Sequence, residues 1–359
     1  MLFAIIITEV LVLLSVSFGY SGGSGTPEAP YQIAAKADLL ELAATTADYN
    51  KCFILTADID VEGQVFTKAI IGAADFTGTF DGNSHKITNF TIDSGGNEHL
   101  GLFGSTSSSS LVKNLGIENF AVSGASVSRY VGGLAGWNGG NISNCYSTGN
   151  ASGTYFVGGL LGFNSSASIT NCYSTGNANG DQYVGALVGF NGYGYISYCY
   201  SAGTASGSSR VGGLIGLNQW GNISNCYSIG AVNGTSHTGG LVGSNWSGGM
   251  GGIITNSYST GIVSGSSDVG GLVGIQEGGS VISSYFLLGA GPDNGYGQPL
   301  TDAQMKQQAS FIGWDFIEIW NIGENQTYPF LRKYLSSDIN MDGRTDFFDF
   351  AILASHWLD

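Results

Sequence analysis

The sequence predicts an all-β fold, a parallel β-helix or solenoid built from repeats of about 27 residues. Three observations predict it. The pattern Val-Gly-Gly-Leu-x-Gly recurs from Val131, Val157, Val184, Val211, Thr238 and Val269, at steps of 26, 27, 27, 27 and 31 residues. A second motif, Ile-Ser-Asn-Cys-Tyr-Ser at 142–147, returns in step with it near 169, 196 and 223, and more loosely near 254 and 281. Gly supplies 59 of the 359 residues, yet 43% of residues are hydrophobic and only 10% charged, a composition that can bury a core and does not read as disorder.

Within one repeat, apolar residues alternate in short runs bounded by Gly, Asn and Ser, which is the strand pattern. A unit of this length supplies about three short strands and cannot bury its own apolar face. Stacked units can, with strands pairing in parallel ~4.8 Å apart so that equivalent residues form columns. Ile142, Ile169, Ile196, Ile223 and Ile254 read as a core column. Asn138, Asn164, Asn191, Asn218 and Asn245, continued by Gln276, read as a ladder of amides at a turn. Tyr146, Tyr173, Tyr200, Tyr227, Tyr258 and Tyr285 form a third column. Gly153, Gly180, Gly207, Gly234 and Gly265 mark a turn that asks for a permissive backbone. Length variation falls between the Gly-Leu-x-Gly motif and the Tyr motif, so that stretch holds a tolerant loop.

The Val-Gly-Gly-Leu-x-Gly repeat resembles the GLUG motif of bacterial surface and secreted proteins. The approach to it is similar too, through Phe76-Thr-Gly-Thr-Phe-Asp-Gly-Asn-Ser-His-Lys-Ile-Thr-Asn-Phe-Thr-Ile92 and a degenerate first copy, His99-Leu-Gly-Leu-Phe-Gly104. The resemblance covers roughly residues 30–335. It implies a surface or secreted repeat protein of adhesin-like type, or a module beside protease or carbohydrate-active domains.

The expected organisation has five parts. Residues 1–19 read as a signal peptide, since Leu2 to Phe18 is nearly all apolar and small residues follow; Glu9 interrupts the run and no Lys or Arg precedes it. Residues 20–98 supply an N-terminal cap and first coils, with a short helix over Ala37 to Ala44 and Asp38 as its cap. Residues 99–290 are the repeat solenoid. Residues 291–335 are a C-terminal cap, with a helix over 301–312 and an aromatic plug of Trp314, Phe316, Trp320, Tyr328 and Phe330. Residues 336–359 form a separate calcium module.

That module carries the sharpest chemistry. Asp338, Asn340, Asp342, Asp346 and Asp349 place oxygen side chains at positions 1, 3, 5, 9 and 12 of a loop, Gly343 permits the bend at position 6, and Arg344 offers its backbone carbonyl. Hard oxygen ligands converging from one tight turn suit Ca²⁺. An Asp at position 12 followed by a helix, Phe347 to Leu358, resembles one half of a type I dockerin. The resemblance implies a cohesin-like partner; a single half leaves the apolar residues of its helix unpartnered, so the helix is expected to dock on the aromatic cap, pair with a second chain or stay loosely held.

Charge narrows the function. A formal net charge of −15 argues against nucleic acid or anionic lipid. Thirteen of the 26 acidic residues precede residue 131, whereas 131–289 holds only Asp181, Asp268 and Glu277. Paired carboxylates for glycan hydrolysis are therefore scarce. Cys145, Cys172, Cys199 and Cys226 share one repeat position without C-x-x-C spacing or a His partner, which suits a buried thiol column better than zinc or disulfides. Arg210, His237 and Asp268 occupy one column whose upstream half is Tyr130, Phe156 and Tyr183. Facing outward, these three rings make an aromatic stripe suited to stacking on a glycan; facing inward, they are core. The expected function is a non-catalytic extracellular protein that binds a glycan or surface protein and uses Ca²⁺ at its C-terminus. The alternative is a polysaccharide-degrading β-helix enzyme or accessory component.

Overall fold

A computed structural model describes residues 19–124, 128–246, 248 and 252–332. The expected signal peptide, almost in full, and the whole expected calcium module lie outside the described residues. Within them the chain winds as a parallel solenoid. Its coils stack into a ten-stranded sheet carrying the Ile column, a sixteen-stranded sheet carrying the Tyr column, and two seven-stranded sheets carrying the Val and Asn columns. Register is strict from coil to coil: Ile142 pairs with Ile169, Tyr146 with Tyr173, Val157 with Val184, and Asn164 with Asn191.

Each coil holds more strands than its periodicity suggests. The coil from Tyr155 has five: Tyr155–Gly158, Leu161–Ser165, Ser168–Thr170, Tyr173–Ser174 and Asn177–Asn179. Strands of two or three residues are too short to show alternation, so the sequence reads fewer. The corner between the Ile and Tyr strands is built by Asn144, Asn171, Asn225 and Asn256, at φ of 55°, 54°, 53° and 47°. Asn tolerates this left-handed region through local hydrogen bonding, which is why the motif reads Ser-Asn-Cys there.

The turn glycines serve a different purpose from the one expected. None of Gly153, Gly180, Gly207, Gly234 or Gly265 is left-handed. A Cβ at Gly153 would stand 2.7 Å from Val131 Cγ2, and one at Gly180 would stand 2.8 Å from Val157 Cγ2. Space beside the Val column, not backbone freedom, excludes a side chain.

The core columns are dry. Ile142 is 1% exposed and Ile169, Ile196, Ile223 and Ile254 are 0%. The Asn column is equally buried and runs as a continuous amide ladder. Asn138 Nδ2 donates to Asn164 Oδ1 at 2.8 Å, Asn164 to Asn191 at 2.8 Å, Asn191 to Asn218 at 2.8 Å, Asn218 to Asn245 at 2.7 Å, and Asn245 to Gln276 Oε1 at 3.0 Å. Each amide also donates to a carbonyl two to seven residues on, such as Gly194 O from Asn191, and so closes its turn from inside.

Cys145, Cys172, Cys199 and Cys226 are buried thiols outside any disulfide, and Cys52 is likewise unbridged and half-buried. Desolvation, with the neighbouring thiols of the column, pushes Cys145 and Cys199 well above the ordinary thiol range. Thiolate is the reactive form. Native protein treated with iodoacetamide at pH 8 is therefore expected to label at Cys52 at most, and all five cysteines should label in guanidinium. Native modification of any column cysteine, read by peptide mass, would contradict the packing.

Both caps differ from expectation in detail. Helix α1 spans Lys36–Ala44 and buries Leu39 and Leu42 over the first coil. Asp38 sits in its first turn, not at its N-cap, and reaches back to accept from Ala34 N at 2.8 Å, Ala35 N at 3.0 Å and Ser21 Oγ at 2.7 Å. Helix α2 is a single turn, Asp302–Met305, capped by Thr301. Beyond it the chain does not plug the open end of the last coil. It lies along the Tyr face, where Met305, Phe311, Trp314, Trp320 and Leu331 bury Tyr200, Tyr227, Tyr258 and Tyr285. Polar anchors fix it: Tyr258 Oη donates to Pro329 O at 2.6 Å, and Trp314 Nε1 donates to Ser283 O at 2.8 Å. Tyr146 and Tyr173, further up the same column, stay half-buried.

Candidate functional site

The expected aromatic stripe begins with a backbone irregularity. Phe156, Tyr183, Arg210, His237 and Asp268 all sit within strands yet have φ of 52°, 60°, 56°, 50° and 50°. Their flanking residues pair across coils, Tyr155 with Gln182 and Val157 with Val184, while the left-handed residue between them drops out of the ladder. Non-glycine residues pay of the order of 1–2 kcal/mol for this region, and bulky ones visit it seldom. The result is a column of side chains carried away from the core.

Tyr130, Phe156 and Tyr183 are half-buried, neither core nor fully exposed. Their rings stack on one another, Tyr130 on Phe156 at 5.0 Å and Phe156 on Tyr183 at 4.7 Å, with His99 4.9 Å above Tyr130. Burial lowers the His99 pKa, against the charges of Glu98 and Asp75. A second stack runs beside the first: Trp137 on Phe163 at 4.2 Å and Phe163 on Phe190 at 4.6 Å. The two stacks meet edge to face, with Tyr130–Phe163 at 89°, Phe156–Phe163 at 82° and Phe156–Phe190 at 77°. This herringbone corrects one expectation. Ring faces within each stack are taken up by their neighbours, so an approaching sugar meets ring edges, the Tyr hydroxyls and the ends of the stacks. The second stack had a signal in the sequence, a constant offset of seven residues from the first: Tyr130 to Trp137, Phe156 to Phe163, Tyr183 to Phe190.

Downstream the first column turns polar. Arg210 lies over the Tyr183 ring, 5.3 Å from its centroid. His237 Nε2 is 3.4 Å from Asp268 Oδ2, and His237 Nδ1 is 3.3 Å from Ser209 Oγ. Arg210 is not part of this ion pair. With side chains 26% and 45% exposed, the His237–Asp268 pair works in high dielectric and is worth about 0–1 kcal/mol.

Among the described residues no group of three or more His, Cys, Asp and Glu could hold a metal ion. Asp338, Asn340, Asp342, Arg344, Asp346 and Asp349 lie outside the described residues, as does the helix expected after them. No helix among the described residues is long and apolar enough to cross a membrane.

Three coils, residues 127–152, 153–179 and 207–233, match the GLUG motif; the first two carry the upper rings of the double stack and the third carries Arg210. These coils are GLUG repeats. An alignment over 159 residues, covering 41% of the chain, is 35% identical to halomucin of Haloquadratum walsbyi and covers 2% of that protein. A candidate Gly-rich membrane protein of Evansella cellulosilytica is 32% identical over 130 residues, 35% of this chain and 15% of that one. The chain thus spans less than a sixth of the length of these curated relatives. A crystal structure of a candidate immunoglobulin A1 protease from Bacteroides ovatus superimposes with a TM-score of 0.61, covering 87% of this chain and 95% of that one at 22% identity. That likeness establishes the solenoid fold alone.

Proposed function

We propose that this chain is an extracellular, non-catalytic GLUG repeat protein that binds a glycan along its double aromatic stack, and that its C-terminal loop takes up one Ca²⁺. One contrast carries the glycan reading. The protein covers the lower Tyr column with its own residues 300–332, yet leaves the six rings of the double stack half-open at the surface, apart from Phe190 at 9% exposure. Aromatic surface kept beside left-handed backbone, at a cost in stability, suits a binding face. Similarity to a Gly-rich membrane protein supports placement at the cell surface, as does the leader-like start.

The test is a glycan array probed with the purified chain and with Trp137→Ala/Phe163→Ala, whose fold is checked by circular dichroism. Binding is expected to fall at least tenfold in the variant; an unchanged profile removes the aromatic face from the proposal. Release of reducing ends from a polysaccharide panel by the purified chain would replace the binding reading with the enzymatic one. For the loop, the support is donor spacing and the mutual repulsion of four close carboxylates without a cation. Calorimetry is expected to give one Ca²⁺ for the intact chain and none for Asp342→Ala. No uptake at millimolar calcium would leave an acidic turn, without calcium-dependent attachment to a cohesin-like partner or a second chain.

A further inference from the structure

Where the double stack ends, a cleft of about 330 Å³ opens between Tyr183 and Arg210 on one side and Gln219, Trp246 and Glu277 on the other. That volume is at the lower end of the range for ligand sites, ~300–1,000 Å³. One small residue lies beneath it, Ser244. The second aromatic column continues in register from Phe190 to Leu217, Ser244 and Ile275. Ser244 thus stands where both neighbouring coils carry a larger apolar side chain, and the cleft lies over this step in the column. The serine is fully buried, and its hydroxyl has no hydrogen-bond partner. An unpaired buried hydroxyl costs ~1–3 kcal/mol.

The charge beside the cleft is as unusual. Arg210 is the one Lys or Arg in residues 131–289. Among the described residues its guanidinium makes no ion pair, and it lies over the face of Tyr183. Arg presents a planar fork of donors matched to a carboxylate, and its fork edge is free when an aromatic face holds the plane. Glu277 lies two coils further on, in register through Gln219 and Trp246, roughly 9.6 Å along the axis at the ~4.8 Å coil spacing. Between the two charges stands Trp246, which meets Trp220 at 66° where Tyr193 and Trp220 lie stacked at 19°. Its ring therefore falls outside a continuous stack.

The geometry points to this cleft as a subsite for a carboxylate-bearing sugar, a uronic or sialic acid unit within a glycan; the inference rests on the glycan-binding reading above and names the sugar class. Arg210 takes the carboxylate, Trp246 packs on the ring, Gln219 bonds sugar oxygens, and Glu277 accepts from hydroxyls at the far end. The axial separation of Arg210 and Glu277 sets the ring's orientation, acid toward Arg210. The net charge of −15 does not forbid this, because charges more than ~8 Å away are largely screened at physiological salt while Arg210 acts in contact.

The experiment uses the full chain and pairs of oligosaccharides ending in a uronic or sialic acid, each with its methyl ester as neutral counterpart. Wild type is expected to prefer the acids at least tenfold, with the preference shrinking in high salt. Arg210→Gln should bind both members of a pair equally, and Arg210→Lys should restore part of the preference. Ser244→Leu, which rebuilds the column, should lose binding of acids and esters alike while keeping the wild-type melting temperature or raising it. Equal binding of acids and esters by wild type, or a preference that survives Arg210→Gln, overturns the subsite while leaving the glycan-binding reading in place. Absence of binding to every member, acid or ester, overturns both.

Discussion

Asn191→Ala is expected to lower the stability of the solenoid by roughly 3–5 kcal/mol, with the main melting transition falling by about 10 °C. Asn191 is 0% exposed and serves three buried partners. Its Oδ1 accepts from Asn164, and its Nδ2 donates to Asn218 Oδ1 and to Gly194 O. Alanine leaves all three unpaired in a dry interior, at ~1–3 kcal/mol each before relaxation recovers part. The position adds to the effect. In a stack where each coil touches only its neighbours, a defect in a middle coil uncouples the two halves. Asn177→Ala supplies the control. Asn177 joins an equivalent amide pair, Nδ2 to Asn150 Oδ1 at 3.1 Å, but on the exposed surface. Water replaces its lost partners, and a cost below ~1 kcal/mol is expected. Equal losses for the two variants in chemical denaturation would show that burial is not what gives the inner ladder its weight.

Much of this architecture was legible because the repeat writes it several times over. The Ile142 column, the Asn138 ladder and the thiol column appear as residue identity at fixed spacing, and in-register stacking turns spacing directly into contact. Orientation was less legible. Tyr130, Phe156 and Tyr183 share a column in the sequence, but their half-buried, stacked state depends on the left-handed backbone at Phe156 and Tyr183, which no side-chain pattern announces. The cleft at Ser244 is an absence in a column, visible only once Leu217 and Ile275 are seen to flank it in register. The aromatic cluster from Trp314 to Phe330 was legible as apolar and hence as a cover. The surface it covers was not, because that choice is a tertiary contact between residues such as Trp320 and Asn225, 95 positions apart.

That cover makes the second large effect a local one. Trp320→Ala is expected to cost the C-terminal segment about 3–5 kcal/mol while leaving the coils folded. Trp320 is 0% exposed, 4.4 Å from Trp314 and 6.1 Å from both Tyr227 and Tyr258, with Nε1 donating to Asn225 Oδ1 at 3.4 Å. It also forms half of the two-residue antiparallel pair with Phe330–Leu331 that closes the segment on itself. The segment's remaining anchors are few, whereas each coil keeps its ladders to both neighbours. The variant should therefore show a separate low-temperature transition in Trp314 fluorescence, and trypsin should cut at Lys306 within minutes while residues 131–289 resist. Alkaline pH should act in the same direction on the native protein. Burial raises the Tyr258 hydroxyl above its ordinary value, with Tyr328 adding to the shift. A tyrosine raised in the folded state stabilises fully below the unfolded value of ~10, and that contribution is lost as pH climbs past it. Lifting of the segment should thus begin above pH ~10 in the wild type, and Tyr258 should titrate near its ordinary value in Trp320→Ala at neutral-pH temperatures above the first transition. A single transition shifted as a whole, as expected for Asn191→Ala, would mean instead that the segment and the coils unfold as one unit.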